Sequence, residues 1–229
     1  MKILALEFSS NERSVAIAET STGSAVAQTA CKILGTSSET KTQSTPAFRL
    51  IGRALGEAQL EREQIECIAV GLGPGSYTGI RAAIAIAQGW QLGRPVSSLG
   101  IGSVEAIALR AWEEGNRGAI DVAIDAQRNE FYLAGFELES SGPVARTRTE
   151  LAPRAALEEL IAAGKIVVGP DLDRRLPGAR LLFPGAEQVA RLAAGRTDFV
   201  PGEKLEPIYL RPISFVKAPP ARTDIPFGD

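Results

Sequence analysis

One stretch, from Gly71 to Trp90, constrains the fold more than any other part of this sequence. It leaves a strand-like apolar run, passes through a glycine-rich turn and continues as a helix that is apolar almost all the way round. Residues without a Cβ atom allow a tight strand-to-helix connection, and the free amides at the start of a helix attract anions. Both interpretations of the turn remain open. The candidate phosphate-side residues are Gly73, Gly75, Ser76, Thr78 and Gly79.

The helix itself predicts burial on more than one side. From Ile80 to Leu92 its only strongly polar residues are Arg81, Gln88 and Gln91. A helix that is apolar on most sides is buried on most sides, so one face should rest on a sheet and another should meet a further helix or subunit. If this surface is an interface, we expect a homodimer when the chain is alone. The candidate interface residues, here and on an amphipathic helix predicted over 46–60, are Phe48, Ile51, Leu55, Ile80, Ala83, Ile84 and Ala87.

Composition narrows the class of protein. The chain has 229 residues, 45% of them hydrophobic and 23% charged, with a net charge of −2, which is typical of a soluble globular protein and not of a basic nucleic-acid binder. Its longest apolar run is too short and too polar to span a bilayer, and the N-terminus does not have the pattern of a signal peptide. The two cysteines make no disulfide framework. We therefore expect a cytoplasmic protein without membrane contact.

The sequence contains no histidine. This excludes Ser-His-Asp and Cys-His catalysis and metal sites with imidazole ligands. A peptidase would need a nucleophile and a base that the sequence does not offer. We expect no metal site and no catalytic residue on this chain.

The remaining pattern predicts a mixed α/β protein. Strands are predicted over residues 3–7, 13–19, 23–34, 65–70, 95–99, 119–125, 130–137 and 165–168, and residues 35–44 are predicted to form a loop. Helices are predicted over 46–60, 80–92, 103–114, 154–163 and 187–194. Aligning Glu7 with Asp125 brings Asn11 onto Asn129 and Glu12 onto Glu130, so the chain contains a predicted internal duplication.

Ligands of such architectures lie in the cleft at the carboxyl ends of the strands. Glu7 and Asp125 fall at strand ends of this kind. We expect Glu7 to be a solvated acid and Asp125 to form a surface ion pair with Arg128. These three residues are the candidates for a vestigial cleft. In the alternative, Glu7 and Asp125 hold Mg²⁺ for an independent phosphotransferase. Arg81 lies unfavourably in the first turn of its helix, so we expect it to have a carboxylate or phosphate partner.

Four motifs carry a family resemblance. The sequence GPGSYTGIR from Gly73 to Arg81 resembles the GPGSFTGLR signature of the TsaB (YeaZ) family. The opening ILALEFSS, the IDAQRNEFY that begins at Ile124 and the PIYLR that begins at Pro207 are similar to that family's ILALDTS, IDARRGEVY and PxYLR. The motifs occur in the family's order over nearly the whole chain.

The resemblance implies an actin-like ATPase fold with two RNase-H-like lobes, 1–104 and 105–204, and a tail, 205–220, that joins the first lobe through Tyr209 and Arg211. It implies a noncatalytic subunit that activates the enzyme installing N6-threonylcarbamoyl on adenosine 37 of tRNAs reading ANN codons. The implied partners are a TsaD-like catalytic subunit and a TsaE-like ATPase, with tRNA met only through the complex. No cofactor is expected to bind tightly, although ATP or ADP is expected at the partner interface.

Two departures from the family pattern bear on the metal. Glu7 stands where the family has Asp, and its longer side chain would crowd a nucleotide-bound metal. Gln43 and Ser44 stand where the family often has a His-Ser pair. Both favour a subunit without metal chemistry of its own.

Overall fold

The computed structural model describes residues 1–21, 30–40 and 46–209. The start of the third strand, helix caps at Ser44 or Thr45, the Gln43-Ser44 pair, Arg211 and the tail beyond Tyr209 lie outside the described residues. Among the described residues no helix is long and apolar enough to cross a membrane.

The first sheet has five strands in the order β3-β2-β1-β4-β5. They are β1 (Lys2–Glu7), β2 (Glu12–Ser21), β3 (Ala30–Thr40), β4 (Cys67–Gly71) and β5 (Ser97–Ile101). Strand β1 pairs antiparallel with β2 and parallel with β4, β2 pairs antiparallel with β3, and β4 pairs parallel with β5. Because side chains alternate along each strand, the sheet presents two apolar faces, and both are covered by helices.

The second sheet repeats this topology in the order β11-β10-β6-β7-β8. Its strands are β6 (Gly118–Asp125), β7 (Glu130–Glu139), β8 (Gly142–Ala145), β10 (Ile166–Gly169) and β11 (Arg180–Leu181), and β9 (Glu150–Pro153) pairs with β7 as well. Strand β6 takes the place of β1, with an antiparallel hairpin partner on one side and parallel strands on the other. The shared order confirms the predicted internal repeat, and two such sheets flanked by helices are the two-lobed actin-like fold.

Five α-helices complete the described fold: α1 (Ala47–Ala58), α2 (Tyr77–Gly93), α3 (Ser103–Glu113), α4 (Arg154–Ala162) and α5 (Ala186–Ala194). Helices α1 and α2 cover one face of the first sheet, where Leu4, Leu6 and Ile17 are fully buried. Helices α3 and α5 cover the other face with small side chains such as Ala106 and Ala190. The first sheet is therefore buried on both faces.

The chain returns to the first lobe earlier than we expected. Helix α5 packs on the first sheet, although we placed it in a second lobe running to residue 204. After α5, the Val200 amide donates to the Ser98 carbonyl over 2.9 Å, and Leu205 enters the first core. The Ile208 amide donates to the Leu72 carbonyl over 2.9 Å. The first part of the tail thus docks on the first lobe.

Strand β3 corrects a second expectation. Residues 35–40, which we predicted as loop, pair antiparallel with β2 from Ile17 back to Glu12. Small polar side chains suit this position because β3 is the edge strand of the sheet. A Cβ atom at Gly35 would clash with the carbonyl oxygen of Ala54, so this glycine allows α1 to pack directly on the strand. Strands β8, β9 and β11 were not predicted, because each is short and lacks an apolar alternation.

Candidate functional site

The glycine-rich turn packs tightly against the chain that follows β1. The Ser76 amide donates to the Ser9 carbonyl over 2.6 Å, and the Ser103 amide donates to the Gly73 carbonyl over 2.7 Å. A Cβ atom at Gly75 would clash with the Ser9 carbonyl oxygen. The Ser76 side chain accepts from the Gly79 amide over 3.4 Å and so caps α2.

These contacts favour the tight connection as the reason for the glycines. A Cβ atom at Gly79 would clash with the Phe8 carbonyl oxygen, just as one at Gly75 would clash with the Ser9 carbonyl oxygen. Thr78 is exposed in the first turn of α2. Only Gly75 and Ser76 of the candidate phosphate-side residues line the cleft between the lobes. Phosphate binding by this loop stays a prediction.

The cleft between the lobes has a volume of about 490 Å³ and a lining of mixed polar and apolar surface. Asn11 spans it, because its side-chain amide donates to Oδ2 of Asp171 over 2.5 Å. The lining residues include Ser9, Ser10, Asn11, Gly75, Ser76 and Tyr77 from the first lobe, Asp125, Gln127, Tyr132, Asp171 and Arg175 from the second, and Tyr209.

Glu7 is not the solvated acid we expected. Its side chain is fully buried at the end of β1, where Oε1 accepts from the Ser9 amide over 2.7 Å and Oε2 accepts from the Ser103 hydroxyl over 2.9 Å. A Cβ atom at Gly71 would clash with this carboxyl group. Burial raises the pKa of Glu7, and hydrogen bonds from Ser9 and Ser103 offset part of that rise. Glu7 therefore lies behind the cleft lining and ties three chain segments together.

Asp125 has a different partner from the one predicted. Its Oδ2 lies 2.6 Å from Nη1 of Arg175, and its Oδ1 accepts from the Gln127 amide over 3.0 Å. Arg128 lies exposed in a turn whose residues Gln127, Arg128 and Asn129 all have positive φ, of 65°, 57° and 60°. The predicted Asp125–Arg128 ion pair is thus replaced by a pair to Arg175, which comes from beyond β10.

Arg81 also differs from the expectation. Its Nη1 donates to the Tyr77 hydroxyl over 2.8 Å, and its guanidinium lies 5.0 Å from the centre of the Tyr77 ring. None of the ion pairs among the described residues involves Arg81. The Tyr77 ring in turn stacks on Tyr209, with centroids 5.7 Å apart. The expected carboxylate partner is therefore replaced by a phenol.

Four of the candidate interface residues face inwards. Ile80, Ala83, Ile84 and Ala87 are buried in the core between α2 and the first sheet. Their spacing of three and four residues marks the core-facing stripe of the helix, and they cannot contact a partner there. The sequence did not reveal which apolar face was the inner one, because both faces are apolar.

The opposite face of α2 forms an open apolar groove with α1. Its volume is about 800 Å³, and Arg62, Glu63 and Arg94 lie at its edge. Phe48 is 69% exposed there, and Leu92, near the end of α2, is 91% exposed. The apolar and small lining residues are Phe48, Ile51, Gly52, Leu55, Ala85, Ile86, Gly89, Trp90 and Gly93.

The groove therefore retains the three candidates from α1, although Ile51 is buried at its base. Its α2 side went unpredicted, despite a visible signal: Ala85, Gly89 and Gly93 recur every four residues on one helical stripe. A Cβ atom at Gly52 or Gly89 would meet nothing within 4 Å, so both helix backbones are open to close approach. A partner role for this groove stays a prediction.

Comparisons with known proteins find relatives both in sequence and in fold. The family model for TsaD, tRNA N6-adenosine threonylcarbamoyltransferase, matches residues 40–167. The tRNA threonylcarbamoyladenosine biosynthesis protein TsaB of Escherichia coli K12 is 32% identical over 166 residues, which cover 64% of this chain and 71% of that protein. The protein of the same name from Haemophilus influenzae is 26% identical over 190 residues, covering 75% and 80%. The solved structure of YeaZ from Pseudomonas aeruginosa superposes with a TM-score of 0.71 at 25% identity, covering 91% of this chain and 99% of that one.

Proposed function

We propose that this chain, which belongs to the TsaB (YeaZ) family and serves in threonylcarbamoyladenosine biosynthesis on tRNA, acts there as a noncatalytic subunit. Its role is to pair with a TsaD-like catalytic subunit and to hold that subunit in its active form. The modified residue is adenosine 37 of tRNAs that read ANN codons.

The observation that carries this proposal is the groove between α1 and α2. A monomer seldom leaves a large apolar side chain such as Phe48 this exposed in a groove of this size. Aromatic side chains at the centre of a patch are the residues that most often dominate binding energy. The small residues Ala85 and Gly89 let a partner helix approach the α2 backbone closely. The groove thus has the composition of an interface for helices.

The buried carboxyl of Glu7 supports a noncatalytic role. In the alternative, an independent phosphotransferase, Glu7 and Asp125 would hold Mg²⁺. Glu7 is enclosed by Ser9 and Ser103, and Asp125 is occupied by Arg175. Titration of the isolated chain with ATP and Mg²⁺ tests the alternative, which requires metal-dependent binding.

The other partners follow from the same proposal. A TsaE-like ATPase joins the assembly, ATP or ADP binds at the interface with the catalytic subunit, and tRNA is met within the complex. Without its partner the chain forms a homodimer through the same groove. The site of action is the cytoplasm.

Two arginine substitutions on α2 test the pairing. Ala85 and Ala82 are both exposed on this helix, but only Ala85 lines the groove. Ala85→Arg should abolish co-purification with the catalytic subunit and its threonylcarbamoylation activity, because it places a charge in an apolar contact. Ala82→Arg is the matched control and should leave both unchanged. If both variants fold and co-purify like the unaltered chain, the groove is not the interface.

A further inference from the structure

Two tyrosines from distant parts of the chain stack at the edge of the cleft between the lobes. Tyr77 begins α2 and Tyr209 follows the docked part of the tail, and their ring planes differ by 25°. Both rings remain exposed, Tyr77 by 58% and Tyr209 by 43%. Two aromatic rings that stack yet stay exposed offer a flat apolar surface that the core does not use.

Arg81 adds a positive charge to this surface. The Tyr77 hydroxyl accepts one of its N–H groups, and the Tyr77 ring lies under its guanidinium, so its position is fixed. It forms no ion pair within the described part of the chain. Arg81 is the fifth residue of α2, because the helix begins one turn before the start that the sequence predicted, and its guanidinium keeps N–H groups besides the one given to Tyr77. A phosphate group is one anion that a guanidinium placed here can bind.

The adjoining cleft supplies hydrogen-bonding groups beside the rings. Ser76, Asn11 and Gln127 line it together with both tyrosines, and hydrogen bonds to Gly79, Asp171 and Asp125 position their side chains there. Its volume of about 490 Å³ accommodates a small planar group. Aromatic rings for stacking, a guanidinium for phosphate and polar groups for a base edge are the means by which proteins hold unpaired bases of RNA.

We propose that Tyr77, Tyr209 and Arg81 form a stacking platform for an unpaired base of the tRNA loop, with Arg81 binding the adjoining phosphate. The platform would give this chain its own contact to the substrate within the complex. This inference rests on the proposed function, since that function brings a single-stranded tRNA loop to the assembly. A free nucleotide offers the same chemistry, and the experiment separates the two sources.

The test is a fluorescence anisotropy titration with the full chain, alone and in its complex with the catalytic subunit. The probe is a fluorescein-labelled RNA hairpin with the anticodon arm of an ANN-reading tRNA, and the control RNA has the same loop bases paired in a duplex. Tyr77→Leu should weaken hairpin binding by about tenfold, the loss expected for one base–aromatic stack. Tyr77→Phe keeps the ring and loses only the hydroxyl contact to Arg81, so its loss of affinity should be clearly smaller than that of Tyr77→Leu. Arg81→Gln should reduce the dependence of binding on salt, because it removes one phosphate contact.

Several results would overturn the platform. One is that Tyr77→Leu binds the hairpin with the same affinity as the unaltered chain. Another is that the hairpin binds neither to the chain alone nor to the complex. A third is that the duplex control binds as tightly as the hairpin. Displacement of the hairpin by AMP at comparable concentration would assign the site to a free nucleotide. Loss of the catalytic subunit by Tyr77→Leu, with RNA affinity kept, would assign the rings to a protein interface.

Circular dichroism checks the fold of each variant. If Tyr77→Leu is unfolded, the salt dependence of Arg81→Gln decides the matter, and a slope equal to that of the unaltered chain overturns the platform. The proposed function is tested separately, by co-purification of the Ala85→Arg variant, because Ala85 lines the groove and not the cleft.

Discussion

The hydroxyl of Ser103 donates a hydrogen bond to Oε2 of Glu7 over 2.9 Å, although the two residues are 96 positions apart. This contact joins the end of β1 to the first residue of α3, the helix that leads into the second sheet. The Ser9 amide binds the other carboxyl oxygen. An acid at the end of a central strand thus serves here as a buried structural link between segments.

Replacing Glu7 with Gln should change how stability depends on pH. Burial raises the pKa of Glu7 above its ordinary value of 4.5, so the carboxyl loses its proton at a higher pH in the folded chain than in the unfolded chain. Between 4.5 and the higher folded pKa, the folded state binds more protons than the unfolded state, and the free energy of unfolding falls as pH rises. Gln can accept from the Ser9 amide and donate its NH2 to the Ser103 hydroxyl oxygen, without this penalty. Glu7→Gln should therefore be the more stable protein above neutral pH.

Urea denaturation at several pH values measures this difference. The gap between Glu7→Gln and the unaltered chain should close as pH falls below 4.5, where the acid is protonated in both states. Asp121, whose pKa burial also raises, is present in both proteins and cancels from the comparison. A constant gap at all pH values would show that the Glu7 carboxyl is not the titrating group.

Glu7 also shows how much of the structure could be predicted from the sequence alone. The alternation of apolar residues predicted β1, β2, β6 and β7, and their shared pattern predicted the repeat, because these signals are local. The burial of Glu7 depends on Ser103 and Gly71, which only the folded chain brings to it. An acid at a strand end gives the same sequence pattern whether its side chain is solvated or accepts a hydrogen bond from a serine hydroxyl.

Helix α2 shows the corresponding limit for surfaces. Residue types predicted its stretch from Ile80 to Leu92, although the helix begins one turn earlier at Tyr77, where Ser76 caps it. Its inner face could not, since both stripes are apolar and only contact with the sheet distinguishes them. The groove needed the position of α1 as well, which is set by the close approach at Gly35. Surfaces made by two elements are therefore less predictable than the elements.

Arginine at Ala83 should prevent folding. Ala83 is fully buried between α2 and the first sheet, so the charge would have neither space nor partner. We expect an insoluble product, or a circular dichroism spectrum without the normal helix signal. Ala82→Arg, one position away on the exposed side, should fold normally. A soluble, helical Ala83→Arg variant that fails only in pairing would restore the face we first expected to be the interface.

Leu205 should anchor the returning chain. It is buried in the first core, well separated in sequence from the sheet it contacts. Leu205→Ala should lower the free energy of unfolding by about 2–5 kcal/mol, as other truncations of buried leucines do. Glu206→Ala, at the next and exposed position, should change it by less than about 0.5 kcal/mol. Equal unfolding midpoints for the two variants would contradict docking of this segment.

Two glycine substitutions in α2 should have effects of opposite sign. Alanine is the better helix former by about 1 kcal/mol, so propensity alone predicts that both Gly79→Ala and Gly89→Ala stabilise the chain. A Cβ atom at Gly89 meets nothing within 4 Å, and that variant should gain up to about 1 kcal/mol. A Cβ atom at Gly79 would clash with the Phe8 carbonyl, which the Glu7–Ser9 link holds in place, so that variant should lose about 1–3 kcal/mol. Thermal unfolding of both variants decides whether the signature glycine serves the close packing of the turn. If Gly79→Ala is as stabilising as Gly89→Ala, the turn has room to spare, and the reason for its glycine lies in what binds there.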